Sequence, residues 1–205
     1  MILKLNWTLI FLVIAVLVFL LQSINIFDFD PLAFTPSLAF VHPWTFITSM
    51  FLHADTSHIF FNMFALVMFG LPLEKKIGSK KFLMIFFISG IAGGIGYMVT
   101  AQDLSIPAIG MSGAIYGIMG TLALLMPGSL VFVGGFAPMP MIVAVFFWGM
   151  LEFLGLFSPG VIARGAHLGG LFTGVLYGIY LRIKEAKSKP KEDKIELTGY
   201  ADWER

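Results

Sequence analysis

Six polar residues stand inside, or at the mouths of, stretches that are otherwise apolar: His58, Asn62, Ser112, Tyr116, Glu152 and His167. A polar side chain in hydrocarbon is costly, so each of them asks for a partner or a task. Ser112, in "GMSGAIYG", carries a hydroxyl that becomes a nucleophile when a neighbouring base takes its proton. The same hydroxyl can cap a helix or bond a neighbouring helix. His167, in "GAHLGG", is of the type that serves as such a base near neutral pH, and alone it can equally be structural. His58 and Asn62 are four apart, so a helix puts them on one face, as two donors or as two interfacial residues bonding each other or lipid headgroups. His53 and His58 are five apart, which does not align two metal ligands on a helix, and no HExxH occurs. No metal is expected.

The elements that must position these residues are membrane helices. The chain has 205 residues, 58% hydrophobic and 12% charged, against roughly a quarter charged in soluble domains. Too few charges remain to coat a globular surface, so the class is an all-α polytopic membrane protein in contact with the lipid bilayer. A formal net charge of +1 gives no reason to expect nucleic acid. With no cysteine, disulfides, thiolate metal sites and a cysteine nucleophile are excluded. No dinucleotide or phosphate-loop glycine pattern is present, so no cofactor is expected.

Six apolar segments follow one another, at about 6–24, 57–72, 81–99, 112–127, 138–157 and 165–183. The second and fourth are short for a span of about 20 residues. The first lacks a small-residue cleavage site and is expected to be a retained span, not a signal peptide. Lys4, the Lys75–Lys81 cluster and the basic residues from Arg182 onward fall on one side if the spans alternate, and Arg164 on the other. The positive-inside rule then makes both termini cytoplasmic. The 25–56 loop lies outside, and its apolar, proline-broken sequence suits the interface. Residues 1–183 form the core, and 184–205 read as a flexible charged tail.

Small residues suggest how the chemistry is assembled. His167, Gly170, Leu171, Gly174 and Gly178 share a face of the sixth segment. Gly113, Gly117 and Gly120 form a matching seam on the fourth. Packing glycine to glycine brings Ser112 and His167 together near the outer ends of their helices. From Ser112 to Met126 is about 22 Å of helix, against about 30 Å of hydrocarbon. Ser112 therefore begins below the outer surface, where irregular backbone must line protein or a wet cavity. A helix start there also brings free N–H groups that can bind an oxyanion.

The order of His58 with Asn62, "GMSG", Tyr116 and "GAHLGG" across six segments resembles the rhomboid family of intramembrane serine proteases. The likeness runs from about Trp44 to about Gly178. It implies a compact six-span bundle with Ser112 as nucleophile and His167 as base, a dyad without an acid. It implies Tyr116 against the His167 ring, and an oxyanion site of His58, Asn62 and the N–H groups of Ser112 and Met111, with Gly110 keeping the loop close. Glu74, in "GLPLEKKIG", takes a structural role by the same likeness. Trp44-Thr45 departs from the family's usual Trp-Arg, which touches loop anchoring and not the chemistry. Substrates implied are single-span transmembrane proteins of the cell membrane, admitted beside the second and fifth spans, where Phe146, Phe147 and Trp148 make a movable wall.

Glu152 is the only carboxylate within a span proper and is expected to bond interior groups of the fifth helix. Two other functions stay open. One is a catalytically inactive helix-binding protein of the same fold. The other is a transporter or channel using the polar pocket, which the lack of internal repeats and of broken paired helices disfavours.

Overall fold

A computed structural model describes residues 6–132, 138–158 and 162–188. The described chain is mostly helical. Helix α1 spans Trp7–Ser23, and a short α2 spans Thr45–Thr48. Helix α3, Thr56–Ala65, runs through a π turn at Leu66–Gly70 into α4, Leu71–Ile77. Then come α5, Ser79–Thr100, α6, Ser112–Leu125, α7, Met141–Gly155, and α8, Arg164–Ser188. The continuous Thr56–Ile77 helix and α5 are each 22 residues long and apolar enough to cross a membrane, while α1, α6 and α7 are shorter apolar helices. Apolar side chains such as Leu17, Phe60, Phe61, Phe146 and Phe172 are more than half exposed, which suits lipid contact.

Three boundaries differ from the sequence reading. The second segment does not stop at 72. Pro72 lacks an N–H, and the helix absorbs the lost bond by widening into the π turn just before it, then runs on to Ile77. Gly78, at φ +82°, turns the chain into α5. The fifth segment does not begin its helix at 138, and the fold is not purely helical. Pro138–Pro140 pairs antiparallel with Leu130–Phe132, as strands β2 and β1. Two prolines around Met139 disfavour helix there, and α7 starts directly after them. Residues Lys184 to Ser188, assigned to the tail on charge, are the last turn of α8. The rest of the expected tail, 189–205, lies outside the described residues.

Glu74 organises the end of the bundle at which α1 and α5 begin. Its carboxylate accepts the Trp7 and Thr8 backbone N–H groups at 2.9 and 3.0 Å and the Thr8 hydroxyl at 2.8 Å. The Ser79 hydroxyl adds a fourth bond at 2.8 Å. One buried side chain thus supplies the N-terminal capping that α1 lacks from its own sequence and ties it to the start of α5. Around it Leu66, Leu73, Phe82, Ile85 and Phe86 form a fully buried core.

The centre of the fold is a seam of glycines. A Cβ on Gly170 would strike the Gly113 carbonyl, and one on Gly174 would strike the Gly117 carbonyl. Gly113 also meets the Ala166 carbonyl, one turn earlier on α8. Helix α5 joins with its own small residues: Gly93 sits against Gly113 and Ala166, Gly96 against Gly165, and Ser89 fills the space beside Gly117. Helices that approach this closely cannot slide or rotate without collision.

The loop between α1 and α3 and the loop between α5 and α6 are stitched to one another. Phe34 and Ala108 exchange backbone hydrogen bonds at 3.2 and 2.8 Å, and the Ser37 N–H donates to the Leu104 carbonyl at 2.9 Å. The Trp44 indole donates to the Pro31 carbonyl and the Thr48 hydroxyl to that of Leu32. The loop before Ser112 is thereby fixed by the loop that follows α1.

Candidate active site

Ser112 is the first residue of α6, and Met111 occupies the N-cap position. The serine hydroxyl therefore does not cap its helix. It lies 2.8 Å from His167 Nε2, a span of 55 residues closed by the glycine seam. The two side chains meet because Gly113, next to Ser112, and Gly170, one turn after His167, let α6 and α8 touch.

The His167 ring is held on three sides. Tyr116, one turn after Ser112, stacks on it with centroids 4.5 Å apart and planes 9° from parallel. Its Nδ1 lies 3.0 Å from Glu152 Oε1. That same oxygen accepts the Tyr116 hydroxyl at 2.7 Å, and Arg164 reaches Glu152 Oε2 at 3.4 Å. The expected dyad without an acid is thus corrected in its surroundings: a carboxylate stands beside the histidine. Glu152 does not merely bond within its own helix; it joins α6, α7 and α8. No local pattern announced this, because the contact depends on how α7 is rotated against α8. The available signal was its being the one carboxylate in an apolar span.

Gly110 has φ +106°, a conformation that favours glycine, and its N–H donates to the Ser49 carbonyl at 2.9 Å. A Cβ there would lie 2.6 Å from His58 Nε2. His58 Nδ1 accepts the Ala54 N–H at 3.3 Å, so in the neutral ring Nε2 carries the proton and is a donor facing Gly110. Asp55 caps α3 by accepting the His58 N–H at 2.8 Å, which fixes where that ring starts.

Asn62 does not bond the His58 ring. Its amide donates to the His58 backbone carbonyl at 2.9 Å, leaving its second N–H free of that bond. Met111 is fully buried, and neither its N–H nor that of Ser112 has a backbone partner among the described residues. The imidazole can activate the hydroxyl as an oxygen nucleophile, and these free N–H groups can donate to the negative charge that then develops on a bound carbonyl oxygen.

His53 and His58 meet edge to face at 5.1 Å. His53 is 1% exposed, and burial followed by the nearby His58 holds its pKa down to about 4. Among the described residues no three metal-ligating side chains stand together.

A family model described as the Rhomboid domain matches residues 41–184. The chain is 31% identical over 160 residues to Rhomboid protein 1, mitochondrial, of Saccharomyces cerevisiae, covering 75% of this chain and 45% of that one. It is 29% identical over 168 residues to Rhomboid-like protease 3 of Toxoplasma gondii, covering 82% and 62%. It is 38% identical over 79 residues to Rhomboid protease GluP of Bacillus subtilis, covering 38% and 15%. The chain spans less than two thirds of the length of each of these relatives. Sequence, helical architecture and family model converge: the chain belongs to the rhomboid family.

Proposed function

We propose that this protein is an intramembrane serine protease that hydrolyses peptide bonds in or near single-span transmembrane segments. The observation that carries this is the 2.8 Å contact between Ser112 Oγ and His167 Nε2. Ser112 Oγ attacks the scissile carbonyl carbon as its proton passes to Nε2, and the C=O electron pair moves onto oxygen. His58 Nε2, the free Asn62 N–H and the backbone N–H groups of Met111 and Ser112 stabilise that oxyanion. Collapse expels the amine, which takes the proton from Nε2. Water then repeats the sequence on the acyl-enzyme. A substrate helix has to unwind at the cut, because helical hydrogen bonds hide its carbonyls.

Six spans, cytoplasmic termini and a cell-membrane location complete the proposal. The lysine distribution supports the orientation, and the short α6 supports a serine below the outer surface. The named relatives that are rhomboid proteases support the activity.

The test is cleavage of a transmembrane substrate by purified protein in liposomes, comparing wild type with Ser112→Ala and His167→Ala. Each variant is expected to lose roughly 1,000-fold or more in kcat. Equal cleavage by all three overturns the mechanism.

A further inference from the structure

We propose that Glu152 is a positioning residue that holds His167 in the tautomer able to take the Ser112 proton. The proposal rests on the protease reading and adds a third residue to it. The geometry fixes what the carboxylate can do. His167 Nε2 must carry a lone pair to accept from Ser112, which in a neutral ring puts the proton on Nδ1. Glu152 Oε1 lies 3.0 Å from that Nδ1. An ionised carboxylate only accepts, so a proton on Nδ1 is attracted to it, whereas a lone pair there would face another lone pair. The Nδ1–H axis does not run straight at Oε1, and the pair is held by closeness and charge, not by an aligned hydrogen bond.

The groups around Glu152 are arranged to keep it there. The Tyr116 hydroxyl donates to Oε1 at 2.7 Å from α6. Arg164, the first residue of α8, approaches Oε2 at 3.4 Å. Tyr116 also stacks on the imidazole, so one residue fixes the ring plane and the carboxylate at once. With His58 across the site on α3, these are the titratable and charged groups that the structure sets around the His167–Glu152 pair. When His167 takes the serine proton, the cation forms beside the Glu152 carboxylate, whose charge Arg164 partly offsets. The carboxylate takes up no proton; the serine proton stays on Nε2 until it passes to the leaving amine.

A purely structural Glu152 would tie α6, α7 and α8 together without affecting the proton on the ring. Two measurements separate the roles. The first is ¹⁵N NMR of ring-labelled histidine in detergent, with His167 assigned by its loss in His167→Ala. Wild type is expected to carry the proton on Nδ1, and Glu152→Gln to shift the population toward Nε2. The second is transmembrane-substrate kinetics. Glu152→Gln is expected to lower kcat roughly ten- to a thousand-fold while KM stays within about two-fold, and Glu152→Asp to recover part of the loss. An unchanged tautomer, or an unchanged kcat, in a folded Glu152→Gln protein overturns the proposal. If that variant does not fold, wild type still decides, because a proton on Nε2 overturns it and one on Nδ1 supports it. Absence of Ser112-dependent cleavage would instead sink the protease reading, and the tautomer measurement distinguishes the two failures.

Discussion

Along the α6–α8 seam, backbone meets backbone; along α7, side chain meets side chain. Gly113, Gly117, Gly170 and Gly174 bring two main chains into contact, with α5 closing the third side through Gly93 and Gly96. Helix α7 instead leans on Trp148, whose ring meets Phe69 of the π turn at 5.8 Å, and on Leu171 beneath Gly149. An apolar groove of about 750 Å³ runs beside it, lined by Val145, Phe146, Gly149, Leu171 and Phe172. A second cavity of about 320 Å³ lies near its start, between Phe69, Pro72, Leu122, Val131 and Met141. Ser112 and His167 therefore sit on the closely packed part, and Glu152 on the part bordered by cavities. A displaced α7 would carry Glu152 away from His167, so any movement of this helix would change the surroundings of the proposed base.

Breaking the rigid half has the largest expected effect. In Gly174→Leu, the new Cβ overlaps the Gly117 carbonyl and lies 2.7 Å from its Cα, and neither backbone can retreat. The expected cost is more than about 3 kcal/mol, shown by loss of the folded fraction or a collapsed thermal midpoint in detergent. Leu154→Ala, on the exposed face of α7, is expected to cost well under about 1 kcal/mol. Similar midpoints for the two variants would erase the distinction between the halves.

The seam was legible because glycine spacing maps directly onto a helix face. Ser112, Tyr116 and His167 came with it, since all three lie on the helices whose faces the glycines define. The α5 contribution is equally written in "SGIAGGIG", but its small residues face two partners and give no single stripe. Glu152 was visible as an oddity and not as a neighbour of His167. Its placement follows from side-chain packing of α7, and no spacing rule encodes that rotation. The π turn and the β hairpin had only prolines as cues, and a proline says where a helix is disturbed without saying how the chain recovers.

Immobilising the looser half comes next in size. The chain has no cysteine, so Phe69→Cys with Trp148→Cys accepts a short thiol cross-linker at one defined place. If α7 moves to admit substrate, cross-linking is expected to slow cleavage of a transmembrane substrate about ten-fold or more, or at least about 1.4 kcal/mol of barrier. Labelling of Ser112 by a small serine-directed phosphonate should change little, because the seam is untouched. Unchanged cleavage after complete cross-linking would mean that the cavities beside α7 are not a sign of movement.

The smallest effect tests whether the seam has a polar part as well as a steric one. Thr121 on α6 places its hydroxyl 2.9 Å from the Gly174 carbonyl on α8 and 3.0 Å from the Gly117 carbonyl of its own helix. Thr173 places its hydroxyl 2.9 Å from the Gly169 carbonyl, within α8 alone. Thr121→Val keeps the shape and removes the link between helices, at an expected cost of about 1 kcal/mol. Thr173→Val removes only a bond inside one helix and is expected to cost less. The difference between their thermal unfolding midpoints isolates the interhelical share. If the two variants match, the hydroxyl adds nothing across the seam, and close glycine packing alone holds α6 and α8 together.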